Sequence, residues 1–180
     1  MKKLSFFDIQ SQLAMPFLES NRDFLKAIFN NLELYFNLKK NSNQRFVDLG
    51  SGNGRVVFYI ALNYNIQSVG YEINPSLIKE AKEIKKKIKK EKRFSRNTFR
   101  KIILKNKDFF NEDLSEFDFI YIYSLPTMQK FLNHLFKTLK ESAIVISYKY
   151  ELTNLTNLLN FSHFLDLKDE NIKVNFYRKK

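Results

Sequence analysis

A glycine-rich segment near residue 50 most constrains what this chain can fold into. It reads Phe46-Val47-Asp48-Leu49-Gly50-Ser51-Gly52-Asn53-Gly54-Arg55. An apolar strand that ends in an acid is followed by a glycine loop, and an apolar run over residues 56–62 comes next. This order of strand, loop and helix is typical of the first βαβ unit of an α/β domain that receives a nucleoside. Glycine suits the loop because it lets the backbone turn sharply and lets a ligand lie against the main chain.

The spacing of the glycines discriminates between two kinds of nucleotide ligand. A dinucleotide-binding loop has the spacing G-x-G-x-x-G, and its pyrophosphate lies at the helix N-terminus. Here Arg55 occupies the sixth place, and Asp48 before the loop would repel a pyrophosphate and favour a cation. The loop therefore favours a ligand with a ribose and a positive end, such as S-adenosylmethionine. The alternative is a glycine-rich turn without a ligand.

The length and composition of the chain indicate one domain and exclude several kinds of site. A chain of 180 residues forms one full core and is too short for two ordinary domains. Because cysteine is absent, disulfides, thiolate metal sites and a cysteine nucleophile are excluded. No signal peptide or membrane span is predicted, since polar residues interrupt the first turns, and a cytoplasmic location is expected.

Most of the formal net charge of +12 lies in one segment. Residues 79–107, the lysine-rich segment, contain fourteen lysines and arginines but only three glutamates. Such a segment can neutralise phosphates, which predicts salt-dependent binding of RNA or of another acidic partner. A helix face that is merely solvated is the alternative.

Hydrophobic periodicity predicts one domain over residues 1–180, with N-terminal helices over 1–43 and an α/β core over 44–180. A short helix over 4–14, a break at 15–17 and a second helix capped by Ser20 are expected first. Predicted strands cover 45–49, 68–72, 102–104, 117–123 and 143–146. Predicted helices cover 53–64, 126–140 and 155–160. A further helix is predicted to begin at Asn74-Pro75 and to end before a basic connection at 91–99. Alternation across 161–176 predicts an antiparallel hairpin, which completes a Rossmann-like seven-stranded sheet.

Three acids are expected at the carboxyl ends of neighbouring strands, where open α/β sheets bind ligands. Asp48 ends the first strand, and Glu72 ends the second, where its carboxylate can accept hydrogen bonds from both ribose hydroxyls. Asp108 follows the third strand and can accept a hydrogen bond from an adenine amino group, with Phe109 or Ile73 covering the ring. An ordinary polar strand end explains each acid alone, but the three acids and the glycine loop together predict a nucleoside site.

With these motifs, the sequence resembles class I S-adenosylmethionine-dependent methyltransferases over roughly residues 44–150. The resemblance rests on Asp48-Leu49-Gly50-Ser51-Gly52-Asn53-Gly54-Arg55, Val69-Gly70-Tyr71-Glu72-Ile73-Asn74-Pro75 and Asp108-Phe109-Phe110. It implies a Rossmann-like methyltransferase sheet, S-adenosyl-L-methionine as cofactor and S-adenosyl-L-homocysteine as product. The cofactor-binding residues are then expected to be Asp48, Gly50, Ser51, Gly52, Gly54, Glu72, Ile73, Asn74, Asp108, Phe109 and Tyr123.

The chain is more closely similar to the small archaeal protein-lysine methyltransferases and their mitochondrial relatives. This likeness rests on Met15-Pro16-Phe17, Gly54-Arg55, Gly70-Tyr71-Glu72-Ile73-Asn74-Pro75, and Asp113-Leu114-Ser115 leading to Ile120-Tyr121-Ile122-Tyr123-Ser124-Leu125-Pro126. It implies methyl transfer to lysine amines of proteins. The lysine-rich segment departs from that group.

The turn after the fourth strand excludes several other acceptors. Enzymes that methylate adenine N6 or glutamine amides resemble one another in an Asp/Asn-Pro-Pro-aromatic turn, whereas this chain has Tyr123-Ser124-Leu125-Pro126. Cytosine C5 methylation through a cysteine is excluded by composition. For a metal, His134 and His163 are the histidines available, and both are expected to be structural, so no metal is predicted.

An amine acceptor suits the residues that remain. Tyr123 is the candidate catalytic residue, and Phe17, Tyr123, Ser124 and Pro126 are expected to line the substrate channel. A sulfonium charge and an apolar channel both lower the pKa of a lysine amine, so water can take its proton. Two alternatives stay open: an RNA methyltransferase that uses the lysine-rich segment, and a non-catalytic module that binds S-adenosylmethionine or RNA.

Overall fold

A mixed sheet of seven strands forms the centre of the structure, a computed structural model that describes residues 22–90, 94–167 and 172–180. The strands are β1 (Arg45–Leu49), β2 (Gln67–Glu72), β3 (Ile102–Asn106), β4 (Phe119–Ile122), β5 (Ile144–Tyr148), β6 (Leu159–Leu167) and β7 (Ile172–Lys179). Their order is β3-β2-β1-β4-β5-β7-β6. The first five strands are parallel, and β7 runs antiparallel to both β5 and β6. The predicted seven-stranded Rossmann-like sheet and its C-terminal hairpin are thus confirmed.

Helices connect the parallel strands. Within the described ranges they are α1 (Arg22–Phe36), α2 (Arg55–Tyr64), α3 (Pro75–Lys90), α4 (Arg96–Arg100), α5 (Pro126–Gln129) and α6 (Asn133–Phe136), with 3₁₀ turns at Phe109–Asn111 and Thr153–Leu155. The predicted start of α3 is confirmed. The side-chain oxygen of Asn74 accepts a hydrogen bond from the Ser76 N–H at 2.9 Å, and proline takes the first helical position.

Apolar side chains cover both faces of the sheet because alternate residues of each strand point to opposite faces. Val47 and Ile120 pack on one face, together with the side chains of α5 and α6. Phe46 and Phe119 pack on the other face, under α1 and α2. Both faces of the central strands are buried, as expected for parallel strands flanked by helices.

The predicted helix over residues 126–140 is wrong as a continuous element. The structure has two short helices there, and the N–H groups of Phe131 and Leu132 donate to carbonyls three residues earlier, not four. Bonds of this spacing wind the chain more tightly than an α-helix. The apolar residues of the predicted pattern are mostly buried. The periodicity therefore predicted correctly which side chains are buried, but it predicted the wrong backbone conformation.

Two further boundaries differ from the prediction. The basic connection at 91–99 contains the start of α4, and Ser95 caps this helix by accepting a hydrogen bond from the Thr98 N–H at 3.1 Å. The predicted short helix at 155–160 is a 3₁₀ turn that ends at Leu155, because Leu159 already pairs with Lys179 as the first residue of β6. The elements predicted at 4–14, 15–17 and Ser20 lie outside the described residues.

The carboxyl ends of the five parallel strands meet along one side of the sheet, here called the C-terminal edge. The glycine loop follows β1 there, and Ile73, Asp108, Tyr123 and Lys149 lie just beyond the next four strands. In the described part of the chain, no helix has the length and hydropathy needed to cross a membrane.

Candidate active site

The glycine loop, residues 50–54, is held against β2 by main-chain hydrogen bonds. The N–H groups of Gly50 and Ser51 both donate to the Tyr71 carbonyl, each at 2.9 Å. Gly50, Gly52 and Gly54 have φ angles of 90°, 53° and 83°, in the left-handed region that residues with a Cβ rarely adopt. The sequence therefore needs glycine at these positions to bring the loop over the strand.

Gly70, in the middle of β2, is a functional position that the predicted site omitted. A Cβ at this residue would lie 2.6 Å from Ser51 Oγ and 2.9 Å from a methyl carbon of Val57. The absence of a side chain thus lets the loop settle on the strand, and a glycine inside a strand pattern is the sequence signal for such a close approach. The Ser51 hydroxyl is buried there, and it has no hydrogen-bond partner among the described residues.

The carboxylate of Glu72 joins the glycine loop to the end of β2. Its Oε2 accepts a hydrogen bond from the Gly52 N–H at 2.9 Å, and its Oε1 accepts one from the Asn74 N–H at 2.7 Å. The side chain is buried. A carboxylate has about four acceptor positions, so each oxygen can accept one more hydrogen bond from a ligand hydroxyl.

Asp48 lies buried at the end of β1, directly before the loop. Burial and, to a smaller extent, the negative charge of Glu72 together raise the pKa of its carboxyl group to about 8. Both effects act against the ionised carboxylate, and a nearby positive charge would reverse them. A cationic ligand group at this end of the loop would therefore stabilise the ionised form of Asp48.

At the end of β3, Asp108 Oδ1 accepts a hydrogen bond from the Phe110 N–H at 3.0 Å and so caps the following 3₁₀ turn. The Phe109 ring is buried and stacks on Phe110, with 4.9 Å between ring centroids. Ile73 is only partly buried. Of the two residues expected to cover an adenine ring, Ile73 is therefore the one with accessible surface.

Asn106 is a second residue that the predicted site omitted. Its side-chain amide donates to the carbonyls of Glu72 and Ile73, at 2.9 and 3.0 Å. It thereby ties the segment after β2 to the end of β3. An asparagine at the end of an apolar strand is the only sequence signal for this contact.

Three tyrosines lie together where β4 and β5 end. The partly buried Tyr123 ring has its centroid 6.2 Å from that of Tyr148 and 5.8 Å from that of Tyr150. The sequence prediction included Tyr123 alone. Next to it, Ser124 is buried with its hydroxyl donating to the Leu125 carbonyl at 3.4 Å, and the exposed Pro126 begins α5. Phe17 lies outside the described residues.

The structure therefore groups the predicted residues into two sets along the C-terminal edge. The glycine loop, Glu72 and Asn74 are joined by hydrogen bonds on β1 and β2, with Asp108 after the adjacent β3. Tyr123 and Ser124 follow β4, on the opposite side of β1. A ligand that crosses β1 would touch both sets, with its nucleoside on one side and its reactive group on the other.

Several cations of the lysine-rich segment have structural roles. Lys85 Nζ donates to the Ile102 carbonyl at 2.7 Å, Lys105 Nζ donates to the Tyr71 hydroxyl at 2.9 Å, and Lys101 Nζ donates to the Asn65 carbonyl. Burial lowers the pKa of Lys85. The outer surface of α3 nevertheless carries exposed lysines at 79, 82, 86, 87, 89 and 90.

Both histidines make protein contacts. His134 Nε2 lies 2.6 Å from the Phe110 carbonyl oxygen. The His163 ring stacks on Phe36 and Phe176, and its Nε2 lies 3.0 Å from the Asn31 side-chain oxygen. Within residues 22–90, 94–167 and 172–180, no group of three or more His, Cys, Asp or Glu side chains could hold a metal ion.

Comparison with protein families matches residues 48–158 to the ANTKMT methyltransferase domain. The match begins at Asp48, includes the glycine loop, Glu72, Asp108 and Tyr123, and ends before β6. It thus covers both sets of residues at the C-terminal edge. No curated protein sequence matches the chain.

Solved structures share the fold at low sequence identity. An RNA methyltransferase from Salinibacter ruber in complex with S-adenosyl-L-homocysteine is 24% identical, with a TM-score of 0.70 over 90% of this chain and 94% of its own. A mutant of MtNAS in complex with S-adenosylmethionine is 13% identical, with a TM-score of 0.65 over 97% and 67% of the two chains. The protein yhhF from Escherichia coli is 12% identical, with a TM-score of 0.65 over 92% and 91%.

Proposed function

Because the chain belongs to the ANTKMT methyltransferase domain family, we propose that it transfers a methyl group from S-adenosyl-L-methionine to lysine amines of a protein partner. This membership also confirms the resemblance to class I methyltransferases that the sequence motifs indicated. The observation that carries the proposal is the hydrogen bond of 2.9 Å from the Gly52 N–H to the Glu72 carboxylate. Gly52 lies in the loop after β1, and β1 pairs with β4, the strand that leads to Tyr123.

The residues of the C-terminal edge fit this cofactor. Each Glu72 oxygen has an acceptor position left for a ribose hydroxyl, and Asp108, which follows β3, is assigned to accept a hydrogen bond from the adenine amino group. An ionised Asp48 would be stabilised by the positive end of the cofactor. Among the described atoms, none lies within 4 Å of a Cβ added to Gly50, which leaves room against the main chain. The structural neighbours that hold S-adenosyl-L-homocysteine or S-adenosylmethionine add support.

When bound, S-adenosylmethionine supplies a methyl carbon on a positively charged sulfur, so a nitrogen–carbon bond forms as the carbon–sulfur bond breaks and S-adenosyl-L-homocysteine remains. The protein has to align the amine with that carbon and keep the nitrogen lone pair free. A lysine with a pKa of about 10.4 must lose a proton first, which costs roughly 4–5 kcal/mol at neutral pH. Apolar surroundings and the positive charge nearby lower this cost.

Tyr123 is assigned to hold the acceptor nitrogen, and not to remove its proton. Burial raises the pKa of Tyr123 to about 12, with Tyr150 and Tyr148 acting in the same direction. Its hydroxyl therefore stays protonated at neutral pH and can accept a hydrogen bond from the amine through an oxygen lone pair. The proton of the lysine leaves to water.

A transfer assay with methyl-labelled S-adenosylmethionine tests the proposal. The protein is incubated with a cell extract that has been depleted of nucleic acid, and separately with total RNA, and each product is digested with protease or ribonuclease. Protein-bound label that appears as methyl-lysine on hydrolysis supports the proposal. Label in RNA alone would overturn it, and binding of cofactor without any transfer would favour a non-catalytic module.

A second candidate is an RNA methyltransferase, and the exposed lysines on the outer surface of α3 favour it. The Salinibacter ruber neighbour is itself described as an RNA methyltransferase. Lysines that contact phosphates make affinity fall steeply with salt. Replacing Lys82, Lys86 and Lys89 by glutamate would then abolish RNA binding and RNA labelling together, whereas the lysine-methylation proposal expects protein labelling to survive this change.

A further inference from the structure

The turn that follows β5 has an unusual backbone for its sequence. Lys149 has a φ angle of 73°, and the Tyr150 N–H donates to the Tyr148 carbonyl at 3.0 Å. A hydrogen bond across three residues with a positive φ in the middle is the rarer and more strained form of the γ-turn. A lysine in this conformation persists only where the surrounding structure enforces it, and such residues cluster at functional sites.

Buried polar groups hold the turn from several sides. The Ser147 hydroxyl donates to the Tyr150 carbonyl at 2.6 Å, and the side-chain amide of Gln129 donates to the Glu151 carbonyl at 2.6 Å. Both Ser147 and Gln129 are fully buried. Polar side chains in a core are unfavourable unless they are hydrogen-bonded, and here both hydrogen bonds go to the turn.

Neighbouring strands fix the same turn. The Lys149 N–H donates to the Lys173 carbonyl at 2.8 Å, and the Leu152 N–H donates to the Tyr177 hydroxyl at 2.9 Å. The turn is thus anchored before and after Tyr150.

The anchored turn places two tyrosine rings beside Tyr123. Tyr148 is buried, with its ring near those of Tyr121 and Tyr123, whereas Tyr150 is only partly buried. Tyr123 and Tyr150 are tilted by 34° with 5.8 Å between centroids, and both can be reached from outside. The buried Tyr148 ring therefore packs against the ring of Tyr123, and the accessible Tyr150 ring packs against that same Tyr123 ring.

We propose that Tyr150 is a second acceptor-binding residue, which holds the incoming amine together with Tyr123, the ring against which it packs. This inference rests on the proposed amine acceptor. Aromatic faces attract an ammonium group, and the phenol oxygens can accept hydrogen bonds from its N–H groups. The Lys149 ammonium group already lies over the Tyr150 ring, 5.6 Å from its centroid, which shows that this ring can face a cation. The two accessible rings would thus suit the ammonium group of a lysine side chain.

Binding of n-butylamine, which has the chemistry of the end of a lysine side chain, tests the inference without turnover. The protein is saturated with S-adenosyl-L-homocysteine, and butylamine is titrated while the tyrosine near-UV difference spectrum is recorded. We expect Tyr150→Ala to weaken butylamine binding about tenfold and Tyr150→Phe to weaken it less, since the ring remains. Tyr35→Ala, at an exposed tyrosine of α1 that contacts His163 of β6, is the matched control and should bind normally.

Circular dichroism shows whether each variant is folded. If Tyr150→Ala does not fold, Tyr150→Phe still tests the inference, because it keeps the aromatic ring and loses only the hydroxyl. Equal butylamine affinity in the wild type, Tyr150→Phe and Tyr150→Ala would overturn the inference, as would failure of the wild type to bind butylamine. The protein-labelling assay reports separately on the proposed function. Butylamine binding that depends on Tyr150, without any labelling of protein, would leave the amine pocket in place and refute lysine methylation of proteins.

Discussion

The Glu72 carboxylate and the Gly52 N–H, 20 residues apart in sequence, are joined by a hydrogen bond of 2.9 Å. The acid that ends β2 thereby fixes the loop that follows β1. The same carboxylate accepts from the Asn74 N–H, at the start of α3. One side chain therefore positions both the glycine loop and the start of α3, and its remaining acceptor positions are the ones assigned to the ribose hydroxyls.

Replacement of Glu72 separates these two roles. In Glu72→Gln the amide oxygen can still accept from Gly52, so we expect a loss of about 1 kcal/mol in the free energy of unfolding. Cofactor affinity should fall about tenfold or more, because a charged acceptor for ribose is lost. Urea denaturation and calorimetric titration measure the two effects. Glu83→Gln, whose carboxylate pairs with Lys86 on the surface of α3, is the control, and equal cofactor affinity in both variants would contradict the assignment.

The raised pKa of Asp48 predicts how stability changes with pH. The folded protein holds a proton at this carboxyl up to about pH 8, whereas the unfolded chain releases it near pH 4. The folded state binds more protons between these values, so the contribution of Asp48 to stability falls as the pH rises from about 4 to 8. For one titrating proton, the free energy of unfolding falls by at most about 1.4 kcal/mol per pH unit.

Asp48→Asn removes this titration. We expect the variant to become progressively more stable than the wild type between pH 5 and pH 8, as followed by urea denaturation at several pH values. The wild type should also bind S-adenosylmethionine more tightly as the pH rises through the same window, and the variant should not. Stability curves that stay parallel for the two proteins would show that Asp48 does not titrate in this range.

The contact between Gly70 and the loop predicts a large effect of a small substitution. In Gly70→Ala the new methyl group would meet Ser51 Oγ at 2.6 Å, and we expect a loss of about 1–3 kcal/mol of stability. Adding Ser51→Gly removes the obstructing side chain and should restore part of it. Chemical denaturation of both single variants and the double variant gives the coupling, and strictly additive losses would exclude the contact.

Lys149 gives a test of the strained turn. Glycine adopts a φ angle of 73° without strain, so we expect Lys149→Gly to keep or raise the stability of the protein, by up to about 1 kcal/mol. Lys149→Val should destabilise it by about 1–3 kcal/mol, because a branched Cβ is least tolerated in this conformation. Lys179→Val, on β7 at the end away from this turn, is the matched control for the loss of a lysine. Equal stability of the three variants would indicate a relaxed turn.

The order of the elements and half of the candidate site could be predicted from the sequence because their signals are local. The glycine loop, Glu72 and the Asn74-Pro75 helix start are each encoded within a few residues, and alternation in the last strands predicted the hairpin. Asn106, Tyr148 and Tyr150 were missed because their roles depend on partners from other strands. Nothing in their own neighbourhoods of the sequence specifies those partners.

The interruption between α5 and α6 has the same origin. The apolar spacing of residues 126–140 predicted a continuous helix, but the side chain of Gln129 is buried and bonded to the Glu151 carbonyl at 2.6 Å. The tertiary contact of Gln129 with the turn after β5 thus competes with the local preference for one longer helix. Only knowledge of the turn after β5 would have revealed it.

The residues assigned to the cofactor and those assigned to the acceptor follow different strands at the C-terminal edge. The residues assigned to the cofactor follow β1, β2 and β3, while the tyrosines follow β4 and β5. The two short segments 123–126 and 147–151 could therefore be exchanged as a unit, with Gln129 kept as their anchor, to give an enzyme with the same methyl donor and a new acceptor. Redesign of the acceptor preference should therefore start with the segments that follow β4 and β5.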